Sequence, residues 1–370
     1  MEKNEIVKIF LDKGYMIDNE SLDFFTKNQA MVQPFLDYYS DMKDKTGSIS
    51  IGLVLDLLKI KPTWLQILKT AKKKQKFSVS DQTSFLNRRY EIIKKIMDGR
   101  LDLINLVSIS KISQMSKKFS ILGIVKAKNE DTKSLVLEDT TGEVEIYFSD
   151  NFLSEYESIL HDDILGVICM NESGRYYYTK TVLPDVPIAR EVKKTKESRK
   201  CVFMSISSDN NFPPLIDWLK KTLDDKSTIF IFSSGESPVK KLASSLPSVE
   251  VFHVNGTALV SLSEMVFFLS NDSVFKKYQD FFRTTSEGTL VSLIKRRNMN
   301  PSMDFDKSVY EEDPFILEEI PDIISVSSFE DQSITNYKGT NVLSLKDFSS
   351  TNSFLLLDTK TREVIKIEIS

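Results

Sequence analysis

The apolar positions of this chain change their period along its length. Ile6, Ile9, Phe10 and Leu11 recur at helical spacing and stop at Gly14, and Asp18 precedes a second run carrying Leu22, Phe24 and Phe25. Two short helices are expected, the first ended by a glycine and the second opened by an aspartate that accepts its free amides. Residues 44–50 are small and polar, and Lys72-Lys-Lys-Gln-Lys76 is a charge run that reads as a solvated face or linker, with a nucleic-acid contact as the lesser reading. A further amphipathic helix covers Phe85 to Met97, with Ile92, Ile93 and Ile96 on one side. From Lys118 the pattern becomes extended. Val144, Ile146 and Phe148 alternate with Glu143, Glu145 and Tyr147 after the turn Glu138–Gly142. A short helix, Phe152 to Leu160, and the strands Ile164–Met170 and Tyr176–Val182 follow. Three strands, a helix and two strands is the order of an OB barrel.

Glu191 to Lys200 is charged and poor in apolar residues, as a linker would be. Beyond it, strands at Val202–Ile206, Thr228–Phe232 and Val249–Val254 alternate with helices at residues 215–223 and 239–246, which predicts a sheet with helices on its faces. Ile323–Val326, Asn341–Leu345, Ser353–Leu357 and Val364–Ile369 read as strands of a second sheet. The predicted fold class is therefore α+β. Residues 1–43 form a tethered helical module, 44–80 a linker with a helix, 81–190 the barrel with its leading helix, 191–200 a linker, and 201–370 the two-sheet domain.

The 370 residues are enough for two or three cores. No apolar run is long enough to span a membrane, and the first residues lack a signal-peptide pattern. Cys169 and Cys201 are the only cysteines; two isolated thiols point to a reducing compartment and a cytoplasmic location. A net charge of −4 argues against a free-standing nucleic-acid binder. His161 and His253 are the only histidines, which leaves little material for metal-assisted or His-based catalysis.

Several segments carry a more specific likeness. Leu293-Ile-Lys-Arg-Arg-Asn-Met-Asn-Pro301 is similar to a block "LLKRRHLAP", and Phe315-Ile-Leu-Glu-Glu-Ile-Pro-Asp-Ile-Ile324 to "LVIEEVPDIF". Arg89-Tyr-Glu91, Leu137-Glu-Asp-Thr-Thr-Gly142, Leu183-Pro-Asp-Val-Pro187 and Phe10-Leu-Asp-Lys-Gly-Tyr15 fall in the same order and support it. In this order and spacing the chain resembles the small subunit of archaeal D-family DNA polymerase. That resemblance implies an N-terminal helical module, an OB fold and a calcineurin-like phosphoesterase β-sandwich flanked by helices.

Active members of that family carry a two-metal phosphodiesterase site and act as 3′–5′ exonucleases, with His, Asp and Asn ligands holding the cations. Four loops supply those ligands, and this sequence departs from each. "SDIH" corresponds to Ser205-Ile-Ser-Ser208, so Ile206 and Ser208 replace the Asp and the His. "GDxVDG" falls near Ser233–Glu236, "GNHD" near Asn255–Ala258, and "GHVH" near Ser327–Asp331. Ile206, Ser208 and Asn255 thus mark degenerate ligand positions. No metal or other cofactor is expected. A remnant site of Asp209, Asn210, His253, Asn255 and Asp331 is the sharper and weaker alternative.

Tyr176-Tyr-Tyr178 reads mainly as barrel packing, with base stacking second. Lys295-Arg-Arg297 is open between DNA or partner contact and pairing with Glu311, Glu312, Glu318 or Glu319; Arg296 and Arg297 are the named candidates for partner binding. The function implied by the resemblance is a non-catalytic subunit that binds and stabilises a large catalytic polymerase subunit and meets DNA only through the holoenzyme. A rearranged metal-dependent exonuclease and a stand-alone single-strand-binding OB protein are the alternatives.

Overall fold

The structure, a computed structural model, describes residues 3–40, 48–51, 53–54, 65–114, 117–208 and 212–369. It divides into two compact units, Met1–Trp64 and Leu65–Ser370.

In the N-terminal unit the helices Lys3–Asp12, Asn19–Lys27 and Val32–Ser40 enclose Phe10, Phe25 and Phe35, whose ring centroids lie 5.3 to 6.1 Å apart. Gly14 ends the first helix at φ +80°, a conformation that glycine adopts without steric cost. The Asp18 carboxylate accepts Ser21 N (2.7 Å) and Ile51 N (3.2 Å), so one side chain both caps the second helix and ties down the returning chain. β1 (Met16–Ile17) pairs in parallel with β2 (Ser48–Ile49). Ile49 and Val54 belong to the same apolar cluster. The module therefore runs past residue 43, where polarity alone suggested its end.

The second unit starts with a strand rather than a linker. β3 (Leu65–Thr70) is the edge of a six-stranded sheet, and β4 (Lys72–Lys73) pairs with β15 (Tyr310–Glu312). The lysine run is thus pinned through its backbone, while Lys72 and Lys73 reach Glu311 and Asp306 from the surface. The helix Val79–Met97 opens on a capping box between Ser78 and Asp81. One of its sides puts Phe85 into the core of the two-sheet domain, and another puts Tyr90, Ile93 and Met97 against the barrel.

The barrel is closed, in the order β5 (Lys118–Asn129), β6 (Ser134–Asp139), β7 (Gly142–Tyr147), β9 (Arg175–Val182) and β8 (Ile164–Glu172). Phe119, Ile121, Leu135, Leu137, Val144 and Ile146 fill it. Of the three tyrosines, Tyr178 stacks on Phe148 at 4.2 Å and Tyr176 packs edge-on to Phe119, whereas Tyr177 faces outward beside Tyr147.

The remaining strands form two stacked sheets. The first is β12 (Glu250–Val254), β11 (Thr228–Phe232), β10 (Lys200–Ser205), β19 (Ser353–Asp358) and β20 (Val364–Glu368). The second is β17 (Ser333–Tyr337), β18 (Thr340–Ser344), β16 (Ile323–Val326), β14 (Met265–Ser270), β13 (Thr257–Leu262) and β3. Strand alternation divides the side chains cleanly. Cys201 and Phe203 point into the inter-sheet core with Phe230 and Phe267, while Val202 and Met204 meet the helices Phe212–Thr222 and Glu236–Ser245. The helices Val274–Phe282 and Ser286–Lys295 cover the second sheet. One expectation is corrected here. Ser353–Asp358 and Val364–Glu368 join the first sheet, with β19 antiparallel to β10. β19 is largely buried and β20 is an exposed edge strand, and their residue pattern does not say which sheet receives them.

Candidate functional site

The candidate ligand positions gather where β10, β11, β12 and β16 end. Directly after β10, Ile206 donates its N–H to Phe232 O (2.9 Å), and its side chain is buried among Phe212, Leu215 and Phe348. A buried isoleucine offers no lone pair to a cation. Ser207 donates both its N–H and its Oγ–H to the Asp347 carboxylate, each at 2.8 Å, and Ser208 Oγ bonds Ser349 Oγ at 2.9 Å. After β11, Ser233 Oγ closes a turn onto Gly235, accepting its N–H at 3.1 Å and donating to its carbonyl at 3.0 Å. His253 Nε2 lies 2.8 Å from Ser233 O. Asn255 is exposed in the turn from β12 to β13. Asp331 accepts Ser286 Oγ at 2.5 Å.

The alternative remnant site therefore does not assemble from the members that can be placed. Asp209 and Asn210 lie outside the described residues; His253 and Asp331 are each directed to a partner in their own chain. Among the described residues no three His, Cys, Asp or Glu side chains converge as a metal would need. Ser207, Ser208 and Ser233 at these strand ends bond Asp347, Ser349 and Gly235, whereas the buried Ser325 and Ser328 hydroxyls have no partner among the described residues.

The strongest chemistry lies elsewhere, where the barrel meets the sheets. Arg296, directly after the helix Ser286–Lys295, donates Nε to both oxygens of Asp163 (2.9 and 3.1 Å) and Nη2 to Ser158 O (2.7 Å), and lies over the Phe282 ring at 4.9 Å. Burial raises the Asp163 carboxyl pKa against the pull of the Arg296 charge. Arg297 turns the chain at φ +52° and donates to Leu317 O (2.7 Å) and Glu318 O (2.6 Å). Both arginines are at most 7% exposed. This corrects their expected role: they face inward and are not surface anchors. Their predicted acidic partners are engaged otherwise, Glu311 by Lys72, Glu318 by Lys69 and Glu319 by Lys193.

Two further buried centres complete the junction. Arg89 holds Asp313 through Nε and Nη2 (2.7 and 3.3 Å), donates to Asn300 O (2.7 Å), and covers the Phe85 ring at 4.2 Å. Asp322 Oδ1 accepts from Arg190 (2.7 Å) and Arg362 (3.2 Å), while Oδ2 accepts Val266 N at 3.0 Å. One carboxylate thus joins the segment leaving the barrel, the β19–β20 turn and the second sheet. At the rim, His161 Nε2 meets Lys126 O, and Nδ1 lies 3.4 Å from Asp162 and 3.6 Å from Asp304. The Asp162 hydrogen bond, opposed by burial and aided by both carboxylate charges, pushes the imidazole up to about 9. Sequence reading missed Asp163, Asp313, Asp322, Arg190 and Arg362. Asp163 and Arg296 are 133 positions apart, and no local pattern joins them; the one available signal was an aspartate set against the apolar run of β8.

Over 257 residues the chain is 23% identical to the DNA polymerase II small subunit of Archaeoglobus fulgidus, covering 60% of this chain and 52% of that protein. Over 166 residues it is 25% identical to the DNA polymerase II small subunit of Pyrococcus abyssi, covering 40% and 26%. This chain resembles archaeal DNA polymerase II small subunits. The match spans about half the length of the first relative and about a quarter of the second. No family model matches. Among solved structures, an archaeal phosphodiesterase aligns at 11% identity and a TM-score of 0.26, covering 45% of this chain and 98% of that one. A predicted phosphoesterase from Streptococcus pneumoniae TIGR4 aligns at 8% and 0.26, covering 47% and 99%.

The segments first singled out as polymerase-small-subunit-like have definite places in the fold. Arg89, Asp185, Arg296, Arg297 and Asp322 are all junction residues. Asp185 donates its N–H to Lys295 O (2.8 Å) and accepts from Tyr337 and Lys338. In the turn between β6 and β7, Asp139 accepts Thr141 N, Gly142 N and Ile109 N.

Proposed function

We propose that this chain acts as an accessory small subunit of an archaeal-type DNA polymerase II, in which the barrel and the two-sheet domain form a single docking body for a large catalytic subunit. Phosphodiester cleavage is not among its tasks, and DNA is met through the assembled enzyme. One observation carries this reading. At the strand ends Ile206, Ser207 and Ser208 turn onto their own chain, while Arg296 with Asp163, Arg89 with Asp313 and Arg190 with Asp322 form ion pairs at the barrel–sheet junction. A body whose described residues bring no three potential ligands together, and that still joins its barrel and sheets through buried ion pairs, suits a protein whose product is a shape.

The test is co-expression with the DNA polymerase II large subunit of the same genome. A stoichiometric complex on size exclusion is expected, together with no digestion of single-stranded 3′ ends by the purified chain in manganese. Failure to form the complex overturns the docking role. Metal-dependent digestion abolished by Asp209→Ala or His253→Ala overturns the loss of catalysis and restores the exonuclease alternative.

A further inference from the structure

The loop from Asp98 to Val107, between the helix Val79–Met97 and the barrel, carries an apolar cluster on the outside of the protein. Leu101 is 99% exposed, Ile104 47% and Leu106 43%, and Met170 at the end of β8 is 43% exposed. The loop is firmly held. Leu103 is buried against Gly166, where an added Cβ would lie 2.7 Å from its Cδ2. Ser120 Oγ donates to Ile104 O (2.7 Å), Asn105 Nδ2 donates to Lys118 O (3.2 Å), and Leu106 is bridged to Ser120. Lys118 in turn stands opposite Met170 in the β5–β8 register. Single exposed apolar residues are ordinary, but several held together by ordered backbone mark an interaction surface.

Unpaired cations outnumber unpaired carboxylates around this cluster. Lys117, Lys118 and Lys180 are exposed and make no salt bridge among the described residues. Of the two acids of the loop, Asp98 is exposed and Asp102 is taken by Arg100 through two bonds of 2.9 Å. That hydrogen bond holds its carboxyl below the usual range against the effect of burial, and the charge of Lys180 acts in the same direction. The patch thus offers apolar side chains beside three unpaired lysines, with Asp98 and Glu172 as its exposed carboxylates.

We propose that this face docks an acidic amphipathic segment of a partner protein. The apolar side of the segment rests on Leu101, Ile104, Leu106 and Met170, and its carboxylates meet the lysines. Charge complementarity selects this occupant over longer polyanions. The net charge of −4 opposes a nucleic acid or an anionic membrane at long range, whereas a short segment feels the charges within a Debye length of about 8–10 Å. Tyr177, across the strand pair from Met170, is half-buried beside Tyr147 and leaves no open ring pair for bases.

The experiment uses the full chain and fluorescence anisotropy. The probes are a designed helical peptide with leucines on one face and glutamates on the other, its lysine counterpart, a single-stranded oligonucleotide, and phosphatidylglycerol vesicles. The acidic peptide binds, more tightly at low salt. Leu101→Ser with Ile104→Ser, and separately Lys118→Glu with Lys180→Glu, each weaken it about tenfold or more, the range expected for interface anchors, with the melting temperature unchanged. The proposal is overturned by equal binding of the lysine peptide, or by acidic-peptide binding indifferent to both double variants. It is equally overturned if the same variants abolish binding of the oligonucleotide or vesicles alone, or a dimer seen by sedimentation.

Discussion

The barrel–sheet junction and the strand ends are both polar regions at the heart of the fold, yet they are built from opposite materials. The junction uses long charged side chains, buried or nearly so and ion-paired: Arg296 on Asp163, Arg89 on Asp313, and Arg190 with Arg362 on Asp322. The strand ends use serines that close short local bonds, together with one isoleucine. Buried ion pairs contribute little net stability against an apolar replacement, but losing one partner is costly because the other charge is stranded. Hydroxyl pairs near the surface fail gently, since water replaces the lost partner. The junction is thus sensitive to single substitutions and the strand ends are tolerant, the reverse of what a phosphodiesterase would require.

The largest effect is expected at Asp322. Asp322→Ala strands two buried guanidiniums and frees Val266 N–H, and should cost about 3–5 kcal/mol, measurable by urea unfolding of the full chain. A cost within error would remove the contrast between the regions.

Arg296→Met sharpens it. Here the stranded group is Asp163, which can take up a proton, and burial already raises its pKa. The loss should therefore be smaller, about 2–4 kcal/mol at neutral pH, and should shrink as pH falls and Asp163 is neutralised. Adding Asp163→Leu should recover most of the loss. A double variant no better than the single one would mean that packing around Phe282, rather than charge, governs the site.

These centres also explain what could and could not be read from the sequence. The barrel was legible because its apolar residues alternate and its turns carry Asp139, Gly142 and Gly174. The first sheet was legible as strand–helix alternation up to Val254. β13 and β14 were missed because Thr257–Leu262 and Met265–Ser270 run together with only Ser263 and Glu264 between them, a hairpin without a glycine. β3 was missed because Gln66, Ile67, Leu68 and Thr70 all face solvent at a sheet edge, so its sequence carries no alternation of apolar and polar residues. Ile206, Ser208 and Asn255 could be read as residue types. The inward turn of Arg296 and Arg297 was not, because their partners are distant in sequence or are backbone carbonyls.

The rim of the junction should show a weaker, pH-dependent effect through His161. Its folded pKa is pushed up to about 9 from an ordinary value of 6.5. A group raised in this way stabilises the fold fully below about 6.5, and its contribution is lost as pH rises through about 9. The imidazole is partly exposed, so solvent screening reduces the effect to the order of 1 kcal/mol. The difference in melting temperature between wild type and His161→Gln should be constant at pH 5–6 and vanish by pH 10. A difference that grows with pH would mean that the ring is held neutral.

The smallest effect should come from the strand ends, and it bears most directly on function. Ser207 occupies the loop where a metal ligand would stand, but its hydroxyl donates to Asp347 at 2.8 Å on the exposed side of the turn. Ser207→Ala removes one such bond and leaves Asp347 still accepting Ser207 N. The carboxylate is open to water, so the loss should be about 0.5–1 kcal/mol or less. If this loop only closes a turn, the substitution should leave capture of the large subunit unchanged, and manganese should not raise the melting temperature of wild type or variant. A bound ion would stabilise by mass action in proportion to its occupancy. A manganese-dependent rise in wild type, lost in Ser207→Ala or Asp347→Ala, would show that the turn coordinates a cation, and the two regions would then no longer differ in kind.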